Sequence, residues 1–162
     1  KSVSLGYYKD EVATKTVFDE DGWFHTGDLV TMNKKGRIFM SGRKKNVIVL
    51  ENGKNVCPEE IETEVANTID YARECVAYKA DFIKNDSKRE GIVLGLYIED
   101  VAIRADVEKI KADILALNKT LPTYKRVDYI LLVDSEYEKT STRKVKRDTI
   151  MTKHDNASGI VL

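Results

Sequence analysis

The sequence predicts an α+β fold, in which a small β-hairpin unit precedes a compact domain with a short sheet flanked by helices. Apolar runs of strand length, two stretches with helical spacing of apolar residues, and the lack of strict strand–helix alternation indicate this class. A chain of 162 residues can bury one good core, or one core and a smaller unit. Near residue 44 a pattern of short strands and turns gives way to a mixture of strand-like and helical segments. We therefore predict units at 1–44 and 45–150 and a tail at 151–162.

The first unit has the pattern of a β-hairpin. Asp28–Met32 and Arg37–Met40 are strand-like runs, and the polar segment Asn33–Gly36 separates them as a turn would. The second unit opens with another strand-like run, Asn46–Leu50, and a turn at Glu51–Lys54. Short β structure is therefore expected on both sides of the boundary.

Two helices are predicted in the second unit from local signals. Pro58 opens the first helix, since proline is tolerated in a first turn and the glutamates that follow it complement the helix dipole. A second helix is predicted from about Ala105 to Leu117, where apolar residues recur at helical spacing, and Pro122 ends it.

Three longer strands complete the predicted sheet. Glu74–Ala80 and Gly91–Ile98 flank the polar segment Lys84–Arg89, which is the expected hairpin tip. Val127–Asp134 follows the second helix as the last predicted strand. The sequence shows no internal repeat and no low-complexity tract, so a repeat architecture is excluded.

The composition excludes several classes of function. Lys+Arg 27 and Asp+Glu 27 give a net charge of zero, so no global field recruits nucleic acid or an anionic membrane. Apolar runs such as Ile92–Ile98 are too short to span a membrane, which leaves only peripheral membrane contact. Cys57 and Cys75 lack C-x-x-C spacing, which argues against a zinc site and fits a reducing compartment, with the cytoplasm as the default. His25 and His154 are too few and too far apart to complete a metal site, so no metal ligand is expected.

Thr26-Gly27-Asp28 is a candidate nucleotide contact. A carboxylate just after a glycine turn can accept hydrogen bonds from both hydroxyls of a ribose, although the same three residues also make ordinary turns. Arg43 stands at the far end of the predicted hairpin, where the chain returns to the same edge. Asp28 and Arg43 can therefore flank one ribose.

Two further segments are candidates that have plainer explanations. The turn Glu51–Asn55 contains Gly53, which lets a backbone come close to a thin ligand, but Asn-Gly is also an ordinary hairpin connection. Lys139–Arg147 is rich in cations, and alone it is explained as a basic surface patch for a phosphorylated or anionic partner.

These motifs, in their order and spacing, resemble the closing motifs of adenylate-forming acyl-CoA synthetases. The segments Gly22–Asp28 and Gly42–Lys45 resemble the T-G-D and G-R-x-(D/K) motifs of that family, and Lys139–Arg147 resembles its lysine loop, K-T-x-x-G-K-(I/V)-x-R. The resemblance covers about residues 5–147, while the last fifteen residues, 148–162, match nothing in the family. The family's phosphate loop is absent, so the resemblance implies the C-terminal piece of a ligase, inert alone.

The resemblance implies a long-chain fatty acid–CoA ligase. The substrates would be a fatty acid, ATP and coenzyme A, with AMP in the acyl-adenylate intermediate and with Mg²⁺ bound mainly by residues outside this chain. Residues 1–44 would end the ATP-binding domain, and 45–150 would form a mobile C-terminal domain. Asp28 and Arg43 match the ribose-binding positions, and Lys45 matches the hinge about which that domain swings.

Two loops of the second unit also match family positions. The turn with Gly53, Lys54 and Asn55 resembles the glycine loop that approaches the pantetheine arm of coenzyme A. Lys144 matches the catalytic lysine, whose ammonium offsets the repulsion between the substrate carboxylate and the α-phosphate. The loop departs from the family pattern in Arg143, where glycine is usual, and we interpret this as the mark of a long-chain subgroup.

Three alternatives stay open at the level of sequence. The parent enzyme can activate another acyl or aryl acid, or it can be an adenylation domain that loads a carrier protein. A non-catalytic anion-binding module that uses the basic run Lys139–Arg147 is the competing class.

Overall fold

The computed structural model describes residues 3–150 and 158–162. It combines helices with a two-stranded hairpin, a second very short hairpin and a four-stranded sheet, which confirms the predicted α+β class. The chain divides into two compact units, Lys1–Lys45 and Asn46–Leu162. No helix in the described part of the chain is long and apolar enough to cross a membrane.

The first unit contains a short helix and the predicted hairpin. Helix α1, Glu11–Val17, was not expected from the sequence; the Asp10 carboxylate caps it by accepting a hydrogen bond from the Ala13 amide at 2.9 Å. Strand β1, Asp28–Met32, pairs antiparallel with β2, Ile38–Arg43. The second strand thus continues beyond its predicted end, and Arg43 becomes its last residue.

The second unit begins with two very short strands and a helix. Strands β3, Ile48–Val49, and β4, Asn55–Val56, pair across the predicted turn. Helix α2, Pro58–Thr68, starts at the predicted proline and buries Ile61 and Val65 completely. Its acidic first turn and apolar stripe therefore act as the sequence pattern indicates.

The four-stranded sheet has the order β5-β6-β7-β8, with β6 and β7 parallel and the other pairs antiparallel. The hairpin tip expected at Lys84–Arg89 is wrong in length, because only Asn85 and Asp86 form the turn, with φ of 52° and 57°. Two adjacent positive φ angles match the twist of the flanking strands, which can then pair up to the turn. The sheet consists of β5 (Glu74–Lys84), β6 (Ser87–Tyr97), β7 (Tyr129–Val133) and β8 (Ser158–Val161).

The helix expected from about Ala105 to Leu117 is α4, Val107–Thr120, and a short helix that was not expected, α3, Val101–Ala105, precedes it. Asp106 separates them, and its carboxylate caps α4 by accepting from the Lys109 amide at 3.0 Å. An aspartate competes well for such a cap position, which explains why the apolar periodicity alone misplaced the boundary. Helix α4 then ends shortly before Pro122, as expected.

Both faces of the sheet are covered by apolar side chains. Helices α2 and α4 pack on one face, where Leu94, Leu96 and Ile130 are fully buried. On the other face, the segment after β7 contributes Tyr137 and Ile150 to a second apolar cluster. The polypeptide on either side of the basic run is therefore packed directly against the sheet.

The C-terminal strand β8 lies at the edge of this sheet, beside β7. It belongs to the segment predicted as a tail at 151–162, of which residues 151–157 and His154 lie outside the described residues. The phenol ring of Tyr129 occupies the space beside Gly159, where a Cβ atom would overlap it. Glycine at this position therefore allows β8 to pair closely with β7.

Candidate functional site

Asp28 and Arg43 lie side by side at the open end of the first hairpin. They are direct partners in the β1–β2 register, and Arg43 Nε lies 2.8 Å from Asp28 Oδ1. Arg43 Nη1 also donates to the Thr26 carbonyl at 3.1 Å, across the turn at Gly27, whose φ is +72°. Asp28 and Arg43 are therefore adjacent, as the predicted hairpin requires.

The Asp28 carboxylate keeps unused hydrogen-bonding capacity. Its side chain is 20% exposed, and Oδ1 is buried beside Arg43 without a hydrogen-bond donor among the described residues. Arg43 Nε thus compensates the charge of the carboxylate, but its N–H is not aligned for a hydrogen bond to Oδ1. Because an ionised carboxylate has about four lone-pair sites, this group fits the role of acceptor for ribose hydroxyls.

Lys45 is exposed and is the last residue of the first unit. It lies in a single 3₁₀ turn, Lys44–Asn46. The next residue, Asn46, is tied to helix α2, because its amide donates to Glu59 Oε1 at 2.5 Å. The predicted hinge residue, Lys45, therefore directly precedes Asn46, whose side chain is bonded to helix α2 of the second unit.

The three predicted loop residues, in and beside the turn between β3 and β4, have different surroundings. Gly53 has φ of +75°, and an added Cβ would meet no atom within 4 Å, so its backbone faces open space. The Lys54 ammonium lies 4.6 Å from the centre of the Tyr124 ring, in a cation–π contact. Asn55 belongs to β4 and pairs with Val49. Of the three, Gly53 alone offers the bare backbone that a thin ligand can approach.

The basic run folds into a tight loop with Lys144 near its tip. Lys139 and Val145 form an antiparallel bridge, and the Thr140 amide donates to the Lys144 carbonyl at 2.8 Å. The Thr140 hydroxyl accepts from the Lys144 amide at 3.2 Å. Arg143 has φ of +61°, a left-handed conformation that lets the chain turn back.

The charges of this loop are unequally compensated. Lys139, Lys146 and Arg147 each pair with a carboxylate. Lys144 is exposed, and within the described residues its ammonium has no hydrogen bond or ion pair, and the same holds for the Arg143 guanidinium. The Lys144 ammonium is therefore available to an incoming anionic group.

A carboxylate that the sequence analysis did not single out holds the end of this loop. Both oxygens of Glu62, in α2, accept from Arg147 Nη2, at 2.6 and 2.8 Å. Glu62 Oε1 also accepts from the Ala77 amide at 2.8 Å, while Arg147 Nη1 donates to the Ala77 carbonyl at 3.0 Å. Burial raises the pKa of the Glu62 carboxyl, and the Arg147 charge opposes that rise. Helix, strand and loop thus meet in one charge-assisted network.

A second carboxylate, also missed, holds the start of the loop. Glu74 Oε2, at the beginning of β5, accepts from the Tyr137 amide at 2.8 Å, and Glu74 Oε1 pairs with the Lys139 ammonium. No local sequence pattern links Glu74 to residues so far along the chain. Only the close packing of the segment after β7 against the sheet brings them together.

No metal cluster is formed by the side chains of residues 3–150 and 158–162. His25 pairs with an acidic side chain, its Nε2 lying 2.9 Å from Asp19 Oδ2. Cys57 and Cys75 are free thiols, and burial raises the pKa of Cys75 to about 12, so this thiol stays protonated at neutral pH.

The chain is similar to curated proteins that activate fatty acids, although no family model matches its sequence. Over 80 residues, or 49% of the chain, it is 44% identical to long chain acyl-CoA synthetase 6, peroxisomal, from Arabidopsis thaliana, of which it covers 11%. Over 94% of the chain, it is 32% identical to the chloroplastic long-chain-fatty-acid acyl-carrier-protein ligase AEE15 of the same plant, of which it covers 23%.

A solved structure shares the fold of the chain. The A domain of carboxylic acid reductase from Segniliparus rugosus, in complex with AMP and a co-purified carboxylic acid, matches with a TM-score of 0.76. The match is 20% identical and covers 93% of this chain and 25% of that one, so it shows the fold alone. The chain spans a quarter or less of the length of the three proteins compared.

Proposed function

Because the chain belongs to the adenylate-forming superfamily of acyl-CoA synthetases and acyl-activating enzymes, we propose that it works as part of a fatty acid–CoA ligase. The complete enzyme would convert a fatty acid and ATP into acyl-adenylate and pyrophosphate, and would then transfer the acyl group to coenzyme A. The Lys144 loop is the observation that carries this proposal. It presents an exposed ammonium without a partner among the described residues, next to cations that carboxylates already compensate.

In the proposal, Lys144 serves the first half-reaction. A fatty acid carboxylate and the α-phosphate repel each other as they approach, and one ammonium between them stabilises the transition state. Because the Lys144 ammonium has no described partner to leave, no ion pair has to break before it meets the substrates. Lys144 is therefore assigned as the catalytic residue.

Asp28 and Arg43 would hold the ribose of ATP or AMP. The support for this assignment is their ion pair at 2.8 Å and the carboxylate oxygen without a hydrogen-bond donor. Two ribose hydroxyls can donate to Asp28, while Arg43 orients the carboxylate. None of the described side chains is assigned to Mg²⁺.

Gly53 and Lys45 are proposed for the second half-reaction. The open backbone at Gly53 is suited to the pantetheine arm of coenzyme A, and Lys54 and Asn55 would fix the turn through Tyr124 and β4. Lys45 is proposed as the pivot that brings this turn to the acyl-adenylate.

A long-chain fatty acid is the proposed substrate, because both curated relatives described above carry that chain length in their names. A carrier protein is the second candidate acceptor, since one relative that matches almost the whole chain is an acyl-carrier-protein ligase. An anion-binding module is disfavoured, because three cations of the loop are already paired. The cytoplasm stays a prediction, as the relatives named are peroxisomal and chloroplastic.

The test replaces Lys144 in the full-length enzyme. Lys144→Ala should lower fatty-acid-dependent ATP–pyrophosphate exchange about a hundredfold or more, because one transition-state charge contact is lost. Thioester formation from supplied acyl-adenylate should persist. Lys146→Ala is the matched control, since Lys146 lies in the same loop but pairs with Glu138 at 3.6 Å. Unchanged exchange in Lys144→Ala would overturn the assignment.

A further inference from the structure

The start of the Lys144 loop is joined to the sheet through Glu74. This residue begins β5 and is a register partner of Tyr97 in β6, so its backbone belongs to the sheet. Its carboxylate reaches out of the sheet and holds both the Tyr137 amide, at 2.8 Å, and the Lys139 ammonium. The Glu74 side chain is only 11% exposed, which shields these contacts from solvent screening.

Lys139 has a second carboxylate partner within its own segment. Glu136 Oε2 lies 2.7 Å from the Lys139 ammonium, but Glu136 is three residues earlier in the same segment. The Glu74 contact connects the segment to strand β5. Hydrogen bonds to Glu136 and Glu74 raise the pKa of Lys139.

The other end of the loop is held independently. Arg147 is fixed to Glu62 and to the backbone of Ala77, as described above. The start of the loop is held by the buried Tyr137 ring, which packs on the sheet, and by the Glu74 contacts, of which the pair with Lys139 lies nearest to Lys144. The position of the Lys144 ammonium therefore depends on how firmly the segment from Tyr137 to Lys139 is attached to β5.

We propose that Glu74 is a positioning residue for Lys144, acting through Lys139 and the Tyr137 amide; this inference rests on the proposed catalytic role of Lys144. Glu74 does not touch the substrates in this proposal. It sets the place from which the Lys144 side chain reaches the reacting groups. A misplacement of about 1 Å can cost about a hundredfold in rate, so the effect is measurable.

The experiment compares Glu74→Gln with Glu90→Gln in the full-length enzyme. Glutamine at this position can still accept the hydrogen bond from the Tyr137 amide, but it lacks the negative charge that pairs with Lys139. Glu90 is the control carboxylate, because it also pairs with a lysine, Lys79 at 2.7 Å, in the β5–β6 strand pair, but no described contact joins it to the Lys144 loop. Glu74→Gln should lower kcat of ATP–pyrophosphate exchange at least about tenfold with little change in KM for ATP. Glu90→Gln should leave kcat unchanged.

A double-mutant cycle distinguishes positioning from general destabilisation. Lys139→Met should lower kcat as Glu74→Gln does, the double variant should be no worse than either single variant, and Lys139→Arg should keep most activity. Thioester formation from supplied acyl-adenylate should be unaffected in all of them.

Two results would overturn the inference. One is an exchange rate in Glu74→Gln equal to that of Glu90→Gln. The other is an equal loss in both half-reactions together with a lowered melting temperature, which would indicate a structural role only. The premise fails separately, if Lys144→Ala itself retains exchange.

Discussion

Arg143 adopts a left-handed backbone conformation, with φ of +61°, that residues other than glycine rarely adopt. The position is the one at which the family that the sequence resembles usually has glycine, and a positive φ is a conformation that glycine adopts without strain. A non-glycine residue there costs about 1 kcal/mol. The Arg143 amide donates to the Thr140 carbonyl at 2.9 Å, and the Thr140 and Thr142 hydroxyls lie 2.9 Å apart. These contacts offset the strain, so the departure is compatible with an intact loop.

At the scale of the residue, the ribose assignment predicts a specific loss of nucleotide affinity. Asp28→Ala or Arg43→Ala in the full-length enzyme should weaken ATP binding about tenfold or more, since hydrogen bonds to a charged group are lost. Fatty acid binding should change little. Titration calorimetry with each ligand measures both affinities.

Asp19→Ala is the matched control for this prediction. Asp19 also pairs with a basic side chain in the first unit, at 2.9 Å, but it belongs to no proposed site. ATP affinity that is unchanged in Asp28→Ala and Arg43→Ala, or reduced equally in Asp19→Ala, would contradict the ribose role.

At the scale of the element, the predictable parts are those whose signals are local. The hairpin β1–β2 and the start of α2 follow from turn residues, strand-like runs and the proline at position 58. Helix α1 buries no residue, so it has no apolar stripe that a pattern could reveal. Strand β8 depends on pairing with β7 and on the space beside Gly159, which is a tertiary contact.

The packing of the segment after β7 on the sheet depends on one glycine in β6. A Cβ added at Gly95 would lie 2.0 Å from the Tyr137 hydroxyl oxygen and 3.3 Å from the ring carbon that bears it. Gly95→Ala should therefore push Tyr137 away and lower the free energy of unfolding by about 1–3 kcal/mol. Denaturant unfolding of the wild type and the variant measures this change.

A second variant tests whether the hydroxyl is the cause. Tyr137→Phe removes the atom at 2.0 Å, so the double variant Gly95→Ala/Tyr137→Phe should be more stable than Gly95→Ala alone. If the double variant were the less stable of the two, the steric explanation would be wrong. In the full-length enzyme, Gly95→Ala should also lower ATP–pyrophosphate exchange, because Tyr137 leads directly into the Lys144 loop.

At the scale of the whole molecule, contacts of the candidate site were predictable only where both partners belong to one local motif. Asp28 and Arg43 are neighbours in the hairpin, as expected, because the two ends of a hairpin must meet, while their ribose role stays a prediction. Glu62 and Glu74 were missed, because each reaches its partner only after the second unit has folded. Long-range ion pairs of this kind leave no periodicity or turn signal in a single sequence.

The boundary between the two units provides the last prediction, because it connects the fold with the proposed two-step mechanism. The first unit ends at Lys45, and the second begins at Asn46, which is tied to helix α2. Lys45→Pro in the full-length enzyme would fix φ near the proline value and restrict Lys44. Acyl-adenylate formation should then persist, whereas thioester formation should fail, because the backbone change for swinging the second unit is blocked.

Lys45→Ala is the control, since it removes the same side chain but leaves φ free. Pyrophosphate exchange measures the first half-reaction, and consumption of coenzyme A with supplied acyl-adenylate measures the second. Selective loss of the second in Lys45→Pro, with both retained in Lys45→Ala, is the expected result. Equal losses in both half-reactions, or none in either, would mean that Lys45 is not the pivot. In that case the division between the two units would have no mechanical role in transferring the acyl group.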